Sequence, residues 1–138
     1  MGSRGPVASG ACRVAVPGPG MARFAVAAVW VYEGVWAKVL DREPRQRRIL
    51  AAFPGVGERR ARRATLALGI LEAAAAPWVL AGRAPRATAL AQTAVIAAMG
   101  EAARRWAREE ITDHRALLLQ HAAFVTLVWL AARDARQR

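Results

Sequence analysis

Residues 64–81 read ATLALGILEAAAAPWVLA, and residues 116–132 read ALLLQHAAFVTLVWLAA. In the first stretch only Thr65 and Glu72 are polar; in the second, only Gln120, His121 and Thr126. A helix on the surface of a water-soluble bundle carries a charged outer face, and neither stretch has the residues to make one. Runs of this length lie at the short end of what crosses a hydrocarbon core of ~30 Å. Both stretches therefore read as helices surrounded by lipid.

Two further apolar runs complete the pattern. One extends from Ala22 to Leu40 and is ended by Asp41, Glu43 and Pro44; the other extends from Arg86 to Ala103 and passes into the charged segment Arg104 to Arg115. Pro77 lies inside the second of the four helices, where a membrane helix tolerates it. Gly82 to Pro85 forms a tight turn. Between the first two helices the basic connection Asp41 to Arg63 contains a stretch, Arg45 to Phe53, that suits a short amphipathic helix at headgroup level. Pro54, Gly55 and Gly57 break it. Short connections make consecutive helices antiparallel neighbours. The expected fold is all-α: an antiparallel four-helix transmembrane bundle over residues 21–132, followed by a basic tail over 133–138. Residues 1–20, rich in Gly, Pro, Ser and Ala, are expected to be a disordered tail, with Met21 an alternative start.

The charge balance fits this reading. Net charge is +11 beside 55% hydrophobic residues. A basic chain first suggests nucleic acid, but here the charges are segregated between and beyond the apolar runs, as in a membrane protein with basic loops. No nucleic-acid partner is expected. Of the 21 basic residues only Lys38 is not arginine. The loops after the first and third helices carry twelve arginines and the opposite side eight. The positive-inside rule then places those loops in the cytoplasm and the termini outside, in a multi-pass protein of the cytoplasmic membrane. The single cysteine, Cys12, excludes an internal disulfide, a Cys-rich zinc site and a CxxC pair. No phosphate-binding Gly-rich loop and no nucleophile elbow is present.

Ionisable residues inside spans are costly and each is a site candidate. Glu33 lies ~10 Å from the end of its helix at 1.5 Å per residue, Glu72 ~12 Å from the same side and His121 ~9 Å. Antiparallel threading brings these three to one level from three helices. Glu101, Gln120 and Lys38 would rim the same half, with Lys38 read as snorkelling to the interface. The functional expectation is a ligand pocket of Glu33, Glu72, Glu101, Gln120 and His121, approached past Trp30, Tyr32 and Trp36. It can relay protons or hold the polar head of a quinone or lipid. The competing expectation is that these groups bond one another and fix helix register, at ~0.6 kcal/mol per contact. One in-span histidine is too few for a metal site, and none is expected. Trp36, Trp78, Trp106 and Trp129 stand near span ends, as interfacial aromatics do.

These residues also carry a family resemblance. WVYEGVWAKVL at 30–40 resembles the opening helix of the DoxX-like membrane proteins, LGILE at 68–72 resembles their second, and His114 with LLQH at 118–121 resembles their last. The resemblance implies a four-helix membrane bundle and leaves the activity open. The wider group is named for a subunit associated with thiosulfate:quinone oxidoreduction, and other members are linked to redox stress. Fusions of such domains behind soluble nucleotide-binding domains imply a cytoplasmic N-terminus, against the arginine count. Three functions follow as expectations. The first is an accessory subunit binding a quinone, lipid or partner protein. The second is a subunit of a membrane enzyme passing electrons from thiosulfate or thiols to quinone. The third is a small proton-coupled transporter assembled as a homo-oligomer. Whether the chain is itself an enzyme stays open.

Overall fold

The computed structural model describes residues 20–135. Residues 1–19 of the expected disordered tail, Cys12 among them, and the last three residues of the basic tail lie outside the described residues. Among the described residues the structure is all-α, with five α-helices and no strand. Helix α1 spans Met21–Val31 and passes directly into a π-helical segment, Tyr32–Val39. Helix α2 is Pro44–Ala51, α3 is Gly57–Ala81, α4 is Pro85–Trp106 and α5 is His114–Asp134; a single 3-10 turn, Arg108–Glu110, joins the last two.

The helix ends follow from local chemistry. Pro44 and Pro85 open α2 and α4 at the first helical position, where the missing N–H has no intrahelical partner to lose. Asp113 caps α5, its Oδ1 accepting from the N–H groups of Arg115 at 2.9 Å and Ala116 at 3.0 Å. Gly82 closes α3 at φ +63°, a left-handed conformation that glycine adopts without a Cβ penalty. Pro77 stays inside α3, as expected. The expected boundaries need revision at the basic end. Helix α3 begins at Gly57 rather than near Ala64, and α4 continues to Trp106. The arginines that read as loop are helical and extend the rods beyond their apolar parts.

One cluster gathers all four long helices. Val26, Ala27 and Trp30 from the first half of the continuous rod 21–39 meet Ala76 and Val79 from the end of α3, Ala89 from the start of α4, and Val128, Ala131 and Ala132 from the end of α5. Starts meet ends, so the four helices alternate in direction. At the other end α2 ties the two basic connections together. Arg48 Nε reaches Glu110 Oε2 at 2.9 Å, Arg45 Nε donates to the Glu110 carbonyl at 3.1 Å, and the Phe53 and Trp106 rings stand 5.1 Å apart. The connections after α1 and α4 thus lie on one side, as the threading required.

Outside that core large apolar side chains are widely exposed. Phe24, Ile70, Leu71, Leu90, Leu118 and Leu119 are each more than half exposed, and they come from all four long helices. Single exposed apolar residues are ordinary, but large ones exposed on every rod point to a surface that meets something other than water alone. Helices α3 and α5 are long and apolar enough to cross a membrane.

Candidate functional site

The site begins with a helix crossing at two glycines. A Cβ on Gly34 would stand 2.5 Å from the Gly69 carbonyl oxygen and 2.6 Å from the Ala73 nitrogen; one on Gly69 would stand 2.7 Å from the Gly34 carbonyl. The π segment and α3 therefore touch backbone to backbone. Small residues permit such approach where no aqueous hydrophobic force drives helices together. Gly69 and Ala73, four apart, form the groove that receives Gly34. The similarly spaced Ala94 and Ala98 are both exposed and serve no contact of this kind.

The close crossing brings three charges together. Lys38 Nζ lies 3.2 Å from Glu33 Oε2 and 2.7 Å from Glu72 Oε2, with side-chain exposures of 2%, 28% and 6% for Lys38, Glu33 and Glu72. Nζ also donates to the Glu33 carbonyl at 3.3 Å. The π winding makes this possible. In an α-helix, residues five apart point about 140° away from each other. A π turn closes i to i+5 bonds, seen here as Leu40 N–H donating to the Val35 carbonyl at 2.9 Å. Residues five apart then stack, and Lys38 folds over Glu33. From the amphipathic helix above, Gln46 Nε2 donates to Glu33 Oε2 at 3.2 Å. The cluster of two carboxylates and one ammonium carries a formal charge of −1.

Glu72 Oε2 is buried, and the Lys38 ammonium at 2.7 Å is its one charged partner among the described residues. A carboxylate oxygen has room for a second donor.

The expected site residues divide. Glu33 and Glu72 meet. His121 is half-buried against Gly100, its Nδ1 3.0 Å from where a Gly100 Cβ would be, and it lies within electrostatic reach of Glu33. Glu101 does not join them; it is exposed and grips Arg104 at 2.7 and 2.8 Å, one turn along its own helix. Gln120, Tyr32 and Trp36 are exposed on the outer surface. Tyr32 and Trp36 sit on the face of the π segment away from the cluster and do not line an approach to it. Lys38 is buried and does not snorkel, because two carboxylates hold it inside.

Sequence reading missed Gln46 and the role of Lys38. A signal existed for the lysine: it is the one non-arginine base of the chain, and lysine is the more compact donor where a charge must fit between two acids. Also missed was the internal use of tryptophan. Trp30 Nε1 donates to Gln92 Oε1 at 2.5 Å, and Trp129 Nε1 to Thr93 Oγ1 at 3.2 Å. These two rings satisfy the polar face of α4, while Trp36, Trp78 and Trp106 are about half exposed, as interfacial rings are.

Neither of two cavities involves the charged cluster. One, of about 20 Å³, lies at the opposite end between Arg23, Trp78, Gly82 and Gln92. The other is an open groove of about 730 Å³ along Arg47, Glu58, Arg59, Arg62, Arg63 and Leu66. No group of three or more His, Cys, Asp or Glu side chains among the described residues could hold a metal ion.

Compared with known proteins, the chain matches the sequence model of the DoxX-like family over residues 27–129, a range containing Glu33, Gly34, Lys38, Gly69, Glu72 and His121. No curated protein and no solved structure matches it.

Proposed function

The chain belongs to the DoxX-like family, and from that membership we propose that it is an accessory subunit whose four long helices cross the cytoplasmic membrane. In this reading it binds the polar head of a quinone-type amphiphile at Glu33, Lys38 and Glu72. What supports the four spans is the apolar exposure shared by α1, α3, α4 and α5. What supports the ligand is the buried charge cluster itself, where Glu72 Oε2 has the Lys38 ammonium as its one partner and room for a second donor. Lys38 can donate to a ring oxygen, and Glu72 Oε2 can accept from a ring hydroxyl. Bound there, a quinone would supply two-electron, two-proton redox chemistry. The chain's own part is to orient the head, exclude water and hold a proton on a cluster that already carries one negative charge more than positive. Helix α2 closes the cluster through Gln46, so entry requires α2 to lift from the bundle's end.

The experiment is purification in mild detergent, followed by lipid extraction and mass spectrometry on the native chain and Glu72→Gln. We expect near-stoichiometric quinone with the native chain and its loss in a variant that still folds. A native chain free of quinone contradicts the reading. Collapse of Glu72→Gln, with Glu33→Gln collapsing likewise, would instead support the close packing as the cluster's whole purpose: a lock on helix register.

A further inference from the structure

The charged cluster does not involve the second basic feature of the molecule, the groove along the N-terminal turns of α3. Arg59, Arg62, Arg63, Leu66 and Ile70 fall within an arc of about 100° on that helix, given 3.6 residues per turn. All five are exposed. The stripe runs from three guanidiniums to two large apolar side chains, in the direction from the basic end towards the middle of the bundle. Its first four members line the groove of about 730 Å³, whose other walls are Arg47 and Glu58. Glu58 is already engaged by Arg47, whose Nε lies 2.7 Å from its Oε1 and whose Nη1 pairs with Asp41. None of the ion pairs among the described residues uses Arg59, Arg62 or Arg63.

We propose that this groove binds an anionic phospholipid, with the phosphate held by Arg59, Arg62 and Arg63 and an acyl chain lying along Leu66 and Ile70. The inference rests on the membrane reading above but not on the quinone. Three features select the lipid. Guanidinium forks match phosphate oxygens in bidentate geometry. Basic pockets at the cytoplasmic edge of a bundle suit anionic headgroups. The apolar half of the stripe has nothing to offer a free phosphate ion and a suitable surface for a hydrocarbon tail. The lipid would also brace α2, since Arg47 forms the facing wall and α2 is the element that must lift for access to Lys38.

The test uses the full chain in mild detergent, titrated with phosphatidylglycerol and with phosphatidylcholine of the same acyl chains, bound lipid being counted by native mass spectrometry. We expect one phosphatidylglycerol retained at least tenfold more tightly than phosphatidylcholine. Each arginine replaced by glutamine should weaken it about fivefold, so R59Q/R62Q/R63Q abolishes the preference. R83Q/R86Q, at the opposite end, should keep it. Leu66→Ser should weaken phosphatidylglycerol while leaving the weak affinity for inorganic phosphate, measured without lipid, unchanged. Equal retention of the two lipids by the native chain overturns the proposal, as does a preference that survives the triple substitution. Displacement of the lipid by inorganic phosphate at comparable affinity would overturn the lipid assignment in favour of a soluble anion. Sedimentation with washed membranes, measured on the same protein, separates these failures from failure of the membrane reading.

Discussion

Lys38 decides how the site is understood. Its ammonium sits between two carboxylates with almost no exposure, and removing one member of a buried ionic group leaves the others uncompensated. Lys38→Met should therefore cost about 3 kcal/mol or more in thermal or denaturant unfolding of the detergent-solubilised protein. Adding Glu72→Gln should recover much of that loss. Equal stability of the single and double variants would show that the charges do not interact. The glycine crossing makes a second demand. Gly34→Ala places a Cβ 2.5 Å from a carbonyl oxygen, and overpacking of this sort costs about 1–3 kcal/mol. The same measurement checks it, with Ala98→Gly on an exposed face as the contrast. The meeting of Glu33 and Glu72 was legible from depth alone, because helix rise converts position into height; His121 packs against Gly100 instead. The fate of Glu101 was not legible, since height says nothing of the side a residue faces. Lys38 was misjudged because five-residue spacing separates faces in an α-helix and unites them in a π-helix.

At the scale of elements, α2 is the part most open to experiment. It has no buried residue and is held by Glu110, by Glu33 through Gln46 and by the Phe53–Trp106 contact. Aromatic pairs of this kind contribute ~1 kcal/mol beyond area burial. Phe53→Ala should accordingly speed tryptic cleavage at Arg47 and Arg48 several-fold, with the long helices still protected. Unchanged cleavage would mean that the ring pair does not hold α2. Asp113 supplies the cap of α5, and Asp113→Ala should cost ~1 kcal/mol, read in the same unfolding assay. The sequence displayed α2 through its Pro-Gly punctuation and amphipathic run. It hid the true start of α3, because arginines at a membrane edge read equally well as loop or as helix. It also hid the π segment, whose residues carry no local signature distinguishing an i+5 from an i+4 turn.

For the whole molecule the surface is the argument. Apolar side chains stand exposed on every long rod, polar side chains of α4 are satisfied inwards by Trp30 and Trp129, and arginines gather beyond the rods. Composition and segregation of charge made this legible at once, since eighteen of the twenty arginines lie outside the four apolar runs and Arg23 and Arg86 stand at their ends, a separation that suits two different solvents. Orientation across the membrane is less marked in the sequence, where the arginine difference between the two sides, twelve against eight, is small. The central claim is that hydrocarbon surrounds all four rods. Its most direct test is labelling by a membrane-impermeant maleimide of single-cysteine variants, Phe24→Cys, Ile70→Cys, Leu90→Cys and Leu119→Cys, in intact membranes on a Cys12→Ser background. All four positions should stay unlabelled until detergent is added. Rapid labelling of any one in the untreated membrane would put water, not lipid, against that helix.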